Sequence, residues 1–245
     1  MSEYLTHLNW STLQTVPFYA AGFYAVNKII APLFKPSTVP TTKTKLWNNV
    51  FTSLIHSSIT GIGVLLAYNK SPTLATDLFG ATTNSVINIL GKLSTGYFIY
   101  DTFDMINDPP VTSDLMVHHA VVIASFGYSV VSQSLHGFLA AALLMEINSV
   151  FLHVRQLLNT SKCDRKGMVY SVVSKLNLIS FLPFRYGVNG WMFWSCYSAK
   201  GEEISELMAY AGMANMTLFF LLNTNLFRSL LKSDVFRKNK VEKKN

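Results

Sequence analysis

Two adjacent histidines, His118 and His119, open the apolar run "DLMVHHAVVI", and Asp101 lies near the end of the preceding one, "GYFIYDTFDM". A carboxylate beside an imidazole can serve as an acid-base pair, or can orient the ring and support its attack as a nucleophile. Successive residues on a helix stand about 100° apart, so the two rings point in different directions and one is expected to face the interior. Asp114, one turn before His118, is a second candidate orienting carboxylate.

Further polar residues recur at helical spacing inside other apolar runs. In "WNNVFTSLIHSSITG" the residues Asn49, Thr52, Ser53, His56 and Thr60 form one stripe. In "LLMEINSVFLHVRQLL" a first stripe holds Glu146, Ser149, His153 and Gln156, and a second holds Asn148 and Arg155. An ionisable group at bilayer depth costs about 2.5 to 3.5 kcal/mol on insertion scales, so each is a candidate for a functional site. For Thr52, Ser53, Thr60 and Ser149 the expected role is hydrogen bonding between helices. Tyr97 and His153 are expected to be structural, and His7 and His136 to be solvated in luminal loops. The chain has six histidines and none of the closely spaced boxes that di-iron membrane enzymes use, so no metal site is expected.

The elements that must carry these residues follow from composition. Half of the 245 residues are hydrophobic and 13% are charged, with a mean hydropathy of +0.29, too apolar for a soluble domain of this length. A spanning helix needs ~20 mostly apolar residues. Seven stretches qualify, near 13–34, 47–68, 86–104, 116–133, 137–158, 170–196 and 207–228. The third and sixth are interrupted by Lys92 and Arg185, and Pro183 in "FLPFRYG" should kink the sixth. The fold class is therefore all-α, a polytopic membrane protein of about seven transmembrane helices.

The net charge of +7 gathers in short loops and the tail rather than over an aromatic-rich polar surface, so nucleic acid is not an expected partner. With seven spans, the basic residues of loops and tail fall on one side except Lys70 and Lys200. The positive-inside tendency then places the N-terminus in the lumen and the C-terminus in the cytosol. No basic n-region precedes the first span, so it is expected to remain as an anchor. The tail "RKNKVEKKN" is close to a di-lysine retrieval signal and points weakly to the endoplasmic reticulum, while also suiting an anionic lipid surface. Cys163 and Cys196 fall on opposite sides and should not pair.

Taken in order, "WNNVFTSLIHSSITG", "GYFIYD", "LMVHHAVVI" and "LLMEINSVFLHVRQLL" resemble the TLC-domain family, which includes the ceramide synthases, the translocon-associated TRAM proteins and the ceroid-lipofuscinosis membrane protein. The likeness divides the chain into a segment 1–42 with the first helix, a TLC domain over 43–228 with six helices, and a basic tail over 229–245. It implies a helical bundle or barrel around a lipid-accessible cavity, with the paired histidines at its cytosolic mouth taking an acyl group from acyl-CoA. Residue by residue it implies His118 or His119 as nucleophile or base, Asp101 as orienting partner, and His56, Glu146 and Arg155 as polar supports. Lys45, Arg155 and Arg165 would then attract the phosphates of coenzyme A. No resident cofactor is implied. Acyl-CoA is the co-substrate, membrane lipids are the partners, and the oligomeric state is left open.

After the pair, "AVVIASFGYSVVSQSLHG" carries no carboxylate, where the ceramide synthases have an Asp-rich signature. Acylation of a sphingoid base does not follow from the likeness. Two functions remain open: an acyl-CoA-dependent lipid acyltransferase, and a non-catalytic member that binds lipid or a protein partner and adjusts membrane composition.

Overall fold

The computed structural model describes residues 8–80, 83–107 and 113–236. His7, most of the acidic connection after Asn107 and the basic tail from Arg237 onward lie outside the described residues.

The chain is an all-α membrane protein whose helical rods match the expected spans closely. A 3-10 turn at Trp10–Thr15 leads into α1, residues 16–33, which a π-turn interrupts at Val26–Ile30. It is followed by α2 (Thr41–Lys70), α3 (Ser85–Ile106), α4 (Ser113–Ser132), α5 (His136–Thr160), α6 (residues 168–198) and α7 (Glu206–Phe236). Among the described residues, α2, α4, α5 and α7 are long and apolar enough to cross a bilayer by length and composition. Charged residues interrupt two of the other rods: Lys92, Asp101 and Asp104 in α3, Lys175 and Arg185 in α6. Where Pro183 is expected to kink the sixth rod, the helix passes through a π-turn over Leu182–Gly187, a local departure from the α pattern at the residue that has no N–H to donate.

Side chains explain the ends and close approaches. Asn84 caps α3 by accepting from the Ile87 N–H at 3.1 Å, and Ser205 caps α7 by accepting from Met208. Gly96 lets α1 lie against α3, because a Cβ there would meet Tyr19 Cβ at 2.7 Å and Val16 O at 2.9 Å. In α2, the hydroxyls of Thr52, Ser53 and Thr60 donate back to Asn48, Asn49 and His56 carbonyls of their own helix. The polar stripe is thus satisfied largely within the helix, not only by the bonds between helices expected of it.

Neighbouring helices trace a ring. α3 packs on α2 and α4, α2 on α5, α5 on α6 and α6 on α7, and α7 returns to α4. α1 lies outside this ring against α3 and α2 and contributes nothing to the cavity within it. The outer surface carries exposed Phe18, Ile62, Leu65, Leu66, Ile179 and Leu221. Such a contiguous apolar exterior is stable in lipid, where helices satisfy their own backbone groups. Exposed Trp10, Trp194, Tyr197 and Tyr210 cluster toward one end, the level at which amphipathic rings favour a membrane interface.

Candidate functional site

The ring encloses a cavity of about 940 Å³, at the upper end of the ~300–1,000 Å³ usual for small-molecule sites. Its lining on α7 runs from Met208 to Leu226, about 27 Å at 1.5 Å per residue. Lys45, Asp104 and Asp114 line it near the start of α2, the end of α3 and the start of α4, and the lining near the opposite helix ends includes the apolar Phe79, Leu135, Met192 and Ile204. The cavity is therefore amphipathic along its length.

Asp101 is central to the polar half. It is 5% exposed, and Asn49 Nδ2 donates to its Oδ1 at 2.6 Å and to Asp104 Oδ2 at 3.1 Å. The Tyr97 hydroxyl lies 3.2 Å from Asp101 Oδ2 and 2.9 Å from Ser53 Oγ. His56 stacks on the Tyr97 ring at 3.9 Å between centroids and meets Ser94 Oγ through Nε2 at 3.1 Å. His56 thus positions the tyrosine that stands between Ser53 and the carboxylate. Lys28 from α1 pairs with Asp104 at 3.0 Å at the margin.

The two histidines are placed differently although both line the cavity. His119 is buried, with Nε2 3.5 Å from Asp101 Oδ2 and Nδ1 3.0 Å from Thr102 Oγ1. The Thr102 hydroxyl also meets the Phe98 carbonyl at 2.6 Å, and when it donates there its lone pairs are left to accept from His119 Nδ1. The Nε2 of His119 faces the carboxylate. His118 packs edge-on against Phe219 at 5.2 Å and Phe98 at 5.8 Å. Among the described residues its ring nitrogens make no hydrogen bond.

The remaining expected site residues divide. Glu146, Ser149, His153 and Gln156, the first stripe of α5, all line the cavity, and so does Lys45. Arg155, on the second stripe, does not: its guanidinium grips Asp234 at the end of α7, with Nε to Oδ2 at 2.6 Å and a second bond from Nη2, which also reaches Ser233. Ser174 and Tyr170 of α6 donate to the same carboxylate. Arg165 is exposed over the Tyr170 ring at 5.8 Å, away from the cavity. Of the cations expected to draw in coenzyme A, Lys45 alone lines the cavity.

His136 departs from the solvated luminal role expected of it. It is 1% exposed at the start of α5, where Nδ1 accepts from the Asn84 N–H at 2.7 Å. Thr102 and Asn223 are site residues that spacing does not reveal. Arg185 does carry a signal, an ionisable group within an apolar run, but it counts there only as an interruption of the span. Cys163 and Cys196 are both free.

Fold and cavity together define a polytopic helical-bundle membrane protein with an internal, amphipathic chamber. The TLC domain description matches residues 46–232, and the chain belongs to the TLC domain family. It is 38% identical over 223 residues to TLC domain-containing protein 2 of Danio rerio, covering 89% of this chain and 88% of that one. TLC domain-containing protein 1 of Gallus gallus is 30% identical over 223 residues, 88% of this chain and 85% of its own. The human TLC domain-containing protein 2 is 34% identical over 174 residues, 70% and 65% of the two chains. Size and short termini alone point within the family to TLC domain-containing protein 4, whereas these relatives are proteins 1 and 2. Membership is consistent with a lipid-related function in membranes.

Proposed function

We propose that the protein is an acyl-CoA-dependent lipid acyltransferase of the endoplasmic reticulum or a connected membrane, with its N-terminus luminal and the cavity mouth open to the cytosol. The observation that carries this reading is an unbonded imidazole, His118, beside a buried Asp101–His119 pair of the kind that can take up and give back a proton, on the wall of an amphipathic cavity. The His118 nitrogen attacks the thioester carbonyl carbon, the C–S bond breaks, and the departing thiolate takes the proton of the pair. An acceptor hydroxyl or amine then attacks the acyl-imidazole and gives its proton back to the pair, so that His118 is released unchanged. Coenzyme A would approach past Lys45, and the acyl chain would occupy the apolar half of the cavity.

The test is lipidomic. Cells lacking the protein should show an altered acyl composition in at least one lipid class, restored by the wild type and not by His118→Ala expressed at equal level. Full restoration by that variant would favour the non-catalytic reading, in which the cavity binds lipid without transforming it. Topology is tested separately: a C-terminal tag should be accessible from the cytosol, and the sequon at Asn159, at the cytosolic end of α5, should remain unglycosylated. A glycan on Asn159 would invert the proposed orientation.

A further inference from the structure

A second polar feature of the cavity wall stands apart from the Asp101, His118 and His119 group. Arg185 sits in the π-turn Leu182–Gly187 and lines the cavity. Its Nε donates to Asn148 Oδ1 at 3.1 Å, Nη1 to Asn223 Oδ1 at 3.1 Å and Nη2 to Ser149 Oγ at 2.9 Å. A guanidinium has five N–H groups, so one on each Nη lacks an acceptor among the described residues. All three acceptors are neutral, and among the described residues no carboxylate comes within ion-pair distance of the guanidinium. Arg155, by contrast, is matched by both oxygens of Asp234.

The neighbour that receives Nη1 is also incomplete. Asn223 is 5% exposed and lines the same cavity, and with Oδ1 occupied by Arg185 its Nδ2 has no partner. Unused donors from two side chains therefore stand side by side on a wall where no protein acceptor meets them. Buried donors left without acceptors are costly, which favours a ligand that brings oxygen. The charge balance narrows the ligand. Glu146, on the same wall and within electrostatic reach of Arg185, opposes a multiply charged phosphate and tolerates a carbonyl or a single carboxylate.

We propose that Arg185 and Asn223 form an acyl-oxygen site, binding the carboxylate of a long-chain fatty acid or the thioester carbonyl of a long-chain acyl-CoA, with the chain in the apolar half of the cavity. This deepens the acyl-handling reading and rests on it. The placement suits that role, since Asn223 lies one turn of α7, about 6 Å, beyond Phe219, on which the His118 ring packs.

The experiment uses the purified full-length protein in detergent and four probes: an eighteen-carbon fatty acid, the corresponding alcohol, the acyl-CoA, and the S-alkyl thioether of coenzyme A that lacks the carbonyl. The wild type should prefer the acid over the alcohol, or the acyl-CoA over the thioether, about tenfold or more. Arg185→Gln should erase that preference while leaving alcohol or thioether binding within about twofold, which also reports an intact cavity. Asn223→Leu should reduce the preference several-fold. The arm that discriminates identifies which acyl oxygen is bound. Equal wild-type binding within both pairs, a preference unchanged in Arg185→Gln, or tighter binding of an alkyl phosphate of the same length would overturn the site. If none of the four probes binds the wild type, the acyl-handling reading itself fails.

Discussion

Replacing His118 with alanine is expected to abolish covalent acylation of the purified protein. With long-chain acyl-CoA, the wild type should gain the mass of one acyl chain on the peptide containing His118 and His119. In the proposed chemistry the nucleophile is His118, whose ring has no hydrogen-bond partner among the described residues, whereas both nitrogens of His119 are engaged, one by Thr102 and one facing Asp101. His119→Ala and Asp101→Asn should therefore still permit the adduct but slow its formation and transfer by about 10²–10⁴-fold, the range usual for acid-base assistance. Asp101→Asn keeps a hydrogen-bonding side chain in place and removes the capacity to share the proton, so it separates chemistry from packing. Tight binding of acyl-CoA with no adduct and no turnover on any acceptor would leave the trio as a binding feature. An adduct on His119 that survives His118→Ala would reverse the two roles.

What could be read from the residues alone follows the range over which each determinant acts. The spans are legible because apolar length and stripe periodicity are local, and the first α5 stripe reached the cavity just as its spacing required. The Asp101–His119 contact is legible too, since a short connection between α3 and α4 leaves these helix ends few places to go. Arg155 is different. Its partner Asp234 lies 79 residues away, and no spacing rule links a residue near the end of α5 to one at the end of α7. Nothing in its surroundings in sequence distinguishes a cation awaiting coenzyme A from one already paired. His136 illustrates the same limit, because its burial depends on Asn84, 52 residues distant. Adjacent histidines also conceal their division of labour: 100° of helix separates the rings, but only Thr102 and Phe219 decide which ring is tied and which is free.

The pairing of Arg155 with Asp234 makes the second large effect one of stability rather than catalysis. The side chains are 10% and 4% exposed, and Asp234 receives further donors from Ser174 and Tyr170, so this carboxylate ties α5, α6 and α7 together at one end of the ring. Removing one partner of a buried pair strands the other charge and costs about 3–5 kcal/mol. Arg155→Ala or Asp234→Ala should thus lower the unfolding midpoint in detergent by roughly 10 °C, given about 2–4 °C per kcal/mol for a chain of this size. Arg155→Lys should recover only part of the loss, because an ammonium cannot make the paired contacts of a guanidinium. The double substitution Arg155→Met with Asp234→Leu should be closer to wild type than either alanine variant, since no charge is then left unmatched. A role in attracting coenzyme A makes the opposite pattern: Arg155→Ala would raise the KM for acyl-CoA at unchanged stability, and Asp234→Ala, by freeing the arginine, would lower it. Parallel melting and kinetic measurements on the same variants separate the two, and a wild-type melting curve for Arg155→Ala would show that the pair does not hold the ring closed.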